Sequence, residues 1–128
     1  MTANNDLLKQ QTVLYVEDEE IARASIGSFL SRYVGELLLG ANGSEGLELY
    51  QEKRPAVVIT DLEMPVMNGM EMIKRIRALD RNIPIIITTA YDDEAHKCLD
   101  ADRVIIKPIL FKNLLQAIND CLGARNSS

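Results

Sequence analysis

The chain has 128 residues, of which 47% are hydrophobic and 26% charged, and its net charge is −5 at neutral pH. That is the size of one ordinary domain, able to bury about two-thirds of the surface its unfolded form exposes. No segment is both apolar and long enough to cross a bilayer. The acidic balance argues against direct nucleic-acid binding, which needs clustered Lys and Arg. Met1–Gln11 is polar and lacks the basic start and apolar run of a secretory signal, so the expected location is cytoplasmic. Cys98 and Cys121 have neither CxxC nor zinc-type spacing and read as small hydrophobes.

Five short apolar runs follow in chain order: Thr12–Val16, Glu36–Leu39, Ala56–Thr60, Pro84–Thr89 and Val104–Ile106. The third and fourth are continuous rather than alternating, as strands buried on both faces of a parallel sheet require, and are expected to be central. Between the runs lie helical stripes. Ile26, Phe29, Leu30 and Tyr33 form the first, Leu47 with Tyr50 and Ile73 with Ile76 mark weaker ones, and Phe111, Leu114, Leu115, Ile118, Cys121 and Leu122 form a strong closing helix. Alternating strands and helices with short connections give an α/β fold, a parallel sheet covered on both faces, and ligands then sit beyond the carboxyl ends of the strands. The expected organisation is a flexible segment 1–11, one domain over 12–123, and a tail or the start of a linker at 124–128.

The residues at those strand ends carry the chemistry. The first strand runs into Glu17-Asp18-Glu19-Glu20, where a nucleotide-binding fold would place glycines; four acids repel phosphate and attract a cation. The third ends in Asp61, followed by Leu62-Glu63-Met64-Pro65 and the turn signal Asn68-Gly69. The first and third strands are neighbours in such a sheet, so Glu17, Asp18 and Asp61 converge. Two ionised carboxylates about 4 Å apart repel by about 4 kcal/mol at an effective dielectric of about 20, a conflict that a divalent ion removes. All-oxygen donors suit Mg²⁺ or Mn²⁺. A carboxylate so placed can attack a phosphoryl donor, with metal and lysine neutralising the charge that develops. Lys107 ends the fifth strand, and Pro108 after it can support a cis peptide. Thr89 ends the fourth strand, where its hydroxyl can bond an acyl phosphate.

Val-Glu-Asp after the first strand, Asp-Leu-Glu-Met-Pro around Asp61, Thr-Ala at Thr89 and Lys-Pro at Lys107 together resemble the response-regulator receiver family over essentially the whole chain. The resemblance implies a flavodoxin-like (βα)5 fold with strand order 2-1-3-4-5. It implies that Asp61 is the phosphoacceptor, that Asp18 and Glu17 hold the metal with the Glu63 main-chain carbonyl completing the site, that Thr89 is the switch hydroxyl and Lys107 the ion-pairing lysine. The implied partners are a sensor histidine kinase or phosphotransfer protein as donor and an output domain or protein, with a homodimer as a further expectation. Catalysis is then limited to the chain's own phosphorylation and dephosphorylation.

Two departures stand out. Val104 occupies a position usually aromatic in the family, and Thr89 and Lys107 are 18 positions apart, shorter than usual by about one helical turn. A short fourth helix near Asp92–Asp100 is the expectation, with Tyr91 as a substitute for the missing aromatic. Alternatives are a metal-dependent phosphatase or phosphotransferase with Asp61 as nucleophile, which would need a covering cap, and a degenerate receiver that acts only as an interaction module. Glu19 and Glu20 read as acids at a helix N-terminus, Thr88 as an ordinary strand residue, His96 as solvated, and Met64, Met67, Met70 and Met72 as packing. The short fourth helix directs output to the first or fifth helix: phosphorylation-dependent hydrogen-exchange protection is expected there, and protection concentrated at Asp92–Asp100 would overturn this.

Overall fold

The computed structural model describes residues 7–90 and 101–127, with side chains to residue 123. Its elements in chain order are β1 (Thr12–Val16), α1 (Glu20–Leu30), β2 (Glu36–Gly40), α2 (Gly43–Lys53), β3 (Val57–Asp61), α3 (Gly69–Leu79), β4 (Ile85–Thr89), β5 (Arg103–Ile106) and the closing helix α4 (Phe111–Ser127). All four strand pairings are parallel and the sheet order is β2-β1-β3-β4-β5, the expected flavodoxin-like arrangement. The short helix expected near 92–100, together with Tyr91, His96 and Cys98, lies outside the described residues.

Side-chain alternation along the strands builds two cores. Val13, Tyr15, Val57, Ile59 and Ile86 face α1 and α4, where Leu30, Leu114 and Ile118 meet them. Leu14, Val16, Val58, Ile85 and Ile87 face α2 and α3 against Tyr50, Met72 and Ile76. Every residue of β3 and β4 is buried, as their unbroken apolar runs foretell. Leu8, ahead of β1, is also fully buried in the first core. Within the closing stripe Leu114, Ile118, Cys121 and Leu122 are buried, but Phe111 is 41% exposed. Its ring stacks on Phe29 at a centroid distance of 4.3 Å, so it fastens α4 to α1 at the rim. Tyr33 lies beyond the end of α1 and packs on the same core.

Local signals start the helices that frame the carboxyl ends of the strands. Asn42 and Asn68 cap α2 and α3 by accepting from the amides of Glu45 (2.9 Å) and Glu71 (3.0 Å). The segment from Leu62 to Gly69 is fixed at two places. The Gly69 amide donates to the Leu62 carbonyl (2.9 Å), and the Gly43 amide at the start of α2 donates to the Met67 carbonyl (2.9 Å). Val66 adopts a left-handed conformation, φ 68°, with 84% of its surface exposed. A methyl group on Gly69 would collide with the Asp61 carbonyl oxygen and the Leu62 backbone. Gly69→Ala is therefore expected to lower stability by about 1–3 kcal/mol, as overpacking does, read as a fall in the urea midpoint; an unchanged midpoint would show that the close approach is not needed.

Candidate functional site

Strand register brings the polar residues together. Val16 pairs with Thr60 and Thr89 with Ile106, so the next residues, Glu17 beside Asp61 and Lys107 beside the end of β4, gather at one edge. Glu17, Asp18 and Asp61 each bring a carboxylate oxygen within 4.8 Å of the others. Glu17 and Asp61 are buried, whereas Asp18 is exposed. The Lys107 ammonium bridges the buried pair, 3.3 Å from Glu17 Oε1 and 3.0 Å from Asp61 Oδ2. Its peptide bond to Pro108 is cis. The other oxygen of Asp61, Oδ1, accepts from the amides of Leu62 (2.7 Å) and Glu63 (3.4 Å).

Three carboxylates against one ammonium leave a surplus of negative charge, and Glu17 is both buried and beside it. Burial raises its pKa; the bond from the Glu19 amide opposes this, the Asp61 charge adds to it, and Lys107 opposes it, with a net rise above the ordinary carboxylate value. Burial works to lower the Lys107 ammonium, but the bond and charge of Asp61, followed by those of Glu17, outweigh it and raise its pKa. The donor set fits a divalent cation of the Mg²⁺ or Mn²⁺ class: hard oxygens, one open exposed carboxylate, and a charge deficit that Lys107 alone does not cancel.

Thr89 sits at the end of β4 with its side chain buried. Its hydroxyl donates to the Glu63 carboxylate, 3.2 Å to Oε1 and 3.4 Å to Oε2. Glu63 thus touches the site twice, by its amide at Asp61 and by its side chain at Thr89. Next to it, Thr88 is paired in register with Asp61, and its buried hydroxyl has no partner among the described residues.

Sequence reasoning did not single out two residues that order the acids. The Tyr15 phenol donates to Glu17 Oε1 (3.4 Å), and burial, then the charges of Glu17 and Asp61, push its pKa up. The signal was available, because residues two apart on a strand share a face. Arg23, in the first turn of α1, donates to the main-chain carbonyls of Glu17 (2.7 Å) and Asp18 (3.3 Å). No spacing rule flags that reach.

The family model for the response regulator receiver domain matches residues 13–119. The chain belongs to this family. Receiver domains bind Mg²⁺ through acidic residues and interact with histidine kinases or phosphotransfer proteins. Among curated relatives, this receiver is 30% identical to sporulation initiation phosphotransferase F of Bacillus subtilis over 94% of this chain and 100% of that one. It is 31% identical to the transcriptional regulatory protein AfsQ1 of Streptomyces coelicolor over 77% of this chain, and 33% identical to a cyclic di-GMP phosphodiesterase of Thermotoga maritima over 89%. It spans only 45% and 32% of those two relatives. Among solved structures, chemotaxis protein CheY4 of Vibrio cholerae superposes with a TM-score of 0.81 at 28% identity, over 88% of this receiver and 98% of that chain. Among the described residues no helix is long and apolar enough to cross a membrane.

The raised Glu17 pKa fixes the sign of a pH effect. Between the ordinary value of 4.5 and the higher folded value, the native state holds more protons than the unfolded one, so the stability that Glu17 contributes is present below that window and lost as pH rises through it. In metal-free buffer, Glu17→Gln is expected to be more stable than wild type at pH 7, with the gap closing toward pH 4.5. Urea titrations at several pH values check this, and equal midpoints at pH 7 would remove the argument.

Proposed function

We propose that this receiver takes a phosphoryl group on Asp61 from a phosphohistidine of a sensor histidine kinase or phosphotransfer protein, and that the event alters its contacts with an output domain or protein. The observation that carries this reading is the Lys107 bridge between Glu17 and Asp61 inside a cluster of three carboxylates that one ammonium does not neutralise. An Asp61 carboxylate oxygen attacks phosphorus; the new O–P bond forms as the P–N bond breaks, and the departing imidazole nitrogen keeps the bonding pair. Lys107, already at Oδ2, lies where charge accumulates on the phosphoryl oxygens. The amides of Leu62 and Glu63 hold Oδ1 and fix the carboxylate plane. Thr89 supplies a hydroxyl for the product once it leaves Glu63.

Glu17, Asp18, Asp61 and the Glu63 main-chain carbonyl would hold Mg²⁺ or Mn²⁺, which when bound neutralises charge on the transferring phosphoryl group. Tyr15 and Arg23 position the acids for it. Water returns the chain to its starting state by cleaving the acyl phosphate, so the catalysis concerns the chain's own modification and no separate substrate. A cytoplasmic setting fits a donor of this kind, and a homodimer is one form the altered contacts can take.

Intact mass after incubation with Mg²⁺ and a small acyl phosphate tests the reading. Wild type is expected to gain one phosphoryl group per chain, Asp61→Asn none, and Lys107→Ala to react at least about tenfold more slowly; chelation of the metal should abolish the gain. Turnover of many phosphomonoesters would favour a phosphatase or phosphotransferase, and no gain at all would favour an interaction module.

A further inference from the structure

We propose that the Glu63 carboxylate is a latch that holds the Thr89 hydroxyl in the unphosphorylated state and so sets the resting position of the switch. This rests on the reading that Asp61 receives the phosphoryl group. A threonine hydroxyl carries one proton. In the present structure that proton is directed at Glu63, at 3.2 and 3.4 Å from its two oxygens, and it cannot serve a phosphoryl oxygen on Asp61 at the same time. The carboxylate makes this a charge-assisted bond to a fully buried residue, stronger than one between neutral groups.

The neighbouring threonine shows that a partner is not automatic at this end of β4. Thr88 is equally buried and its hydroxyl has no partner among the described residues. Thr89 has one because Glu63, on the segment following β3, reaches it. The same residue donates its amide to Asp61 Oδ1 (3.4 Å), so the latch and the phosphoacceptor share one short piece of backbone. Phosphorylation turns the Asp61 carboxylate, with one negative charge, into an acyl phosphate with about two, and offers Thr89 a competing acceptor. An interaction made only in the resting state must weaken binding to the switched state by the same factor. Glu63 therefore opposes phosphorylation through Thr89, as a positioning residue.

The test is a double-mutant cycle on the full chain, read as the dissociation constant for beryllium trifluoride in saturating Mg²⁺, with Mg²⁺ affinity measured separately. Glu63→Ala is expected to tighten binding of this phosphoryl mimic about three- to tenfold, and to change it by less than about twofold when Thr89→Val is also present. Glu63→Gln keeps an acceptor oxygen and is expected to stay closer to wild type than Glu63→Ala. An equal gain in both Thr89 backgrounds, or the full gain from Glu63→Gln alone, would assign the effect to charge and overturn the latch. If wild type neither binds the mimic nor takes a phosphoryl group, the Asp61 reading fails instead. The latch is then judged without ligand: Glu63→Ala should shift the Thr89 γ-methyl resonance and speed exchange of its hydroxyl proton, and unchanged signals would overturn it.

Discussion

Like charge crowded at the carboxyl ends of β1 and β3 is the constraint to which the rest of the structure answers. Parallel register sets Val16 beside Thr60 and leaves Glu17 and Asp61 no way to separate. Both are buried, where water cannot screen them, and Asp18 adds a third carboxylate at the rim. Lys107 reaches across from the end of β5, the Tyr15 phenol bonds Glu17 from below, and Arg23 holds the carbonyls of the acidic turn. The Glu17 pKa is still pulled upward, by burial first and by the Asp61 charge after it. Such tension is destabilising, and a divalent cation of the class that receiver domains bind would relieve it.

Much of this was legible in the sequence because it depends on local pattern. Runs of adjacent apolar residues mark strands buried on both faces, and each observed strand begins and ends within one residue of its run. Since ligands in such sheets gather beyond the strand ends, reading the last residue of each run and the one or two after it finds Glu17, Asp18, Asp61, Thr89 and Lys107. The parts that were not legible depend on reach and direction. Arg23 is found only when the first turn of α1 is placed over the acidic turn. Nothing in the spacing of Glu63 from Thr89 shows that its side chain crosses to β4. Phe111 fits the closing stripe by period but sits at the first turn of α4, where Phe29 rather than the sheet receives it.

The absence of an aromatic residue at Val104 gives the Glu63–Thr89 pair added weight. Val104 lies on the edge strand and is 39% exposed. In this receiver, the hydroxyl at the end of β4 is tied to an acid on the backbone segment that also touches Asp61. Asp61, Glu63 and Thr89 are thus linked by hydrogen bonds through that one segment. The second buried hydroxyl there, on Thr88, has no partner among the described residues.

Val66 gives that segment a further property. A β-branched residue at φ 68° carries a cost of about 1–2 kcal/mol, and with the side chain in solvent no packing offsets it. The bend lies between the amides that hold Asp61 and the Met67 carbonyl that docks on α2. The residue that carries this cost faces solvent and contributes no acid, amine or hydroxyl, so the backbone conformation of the segment and the chemistry of the site rest on different side chains.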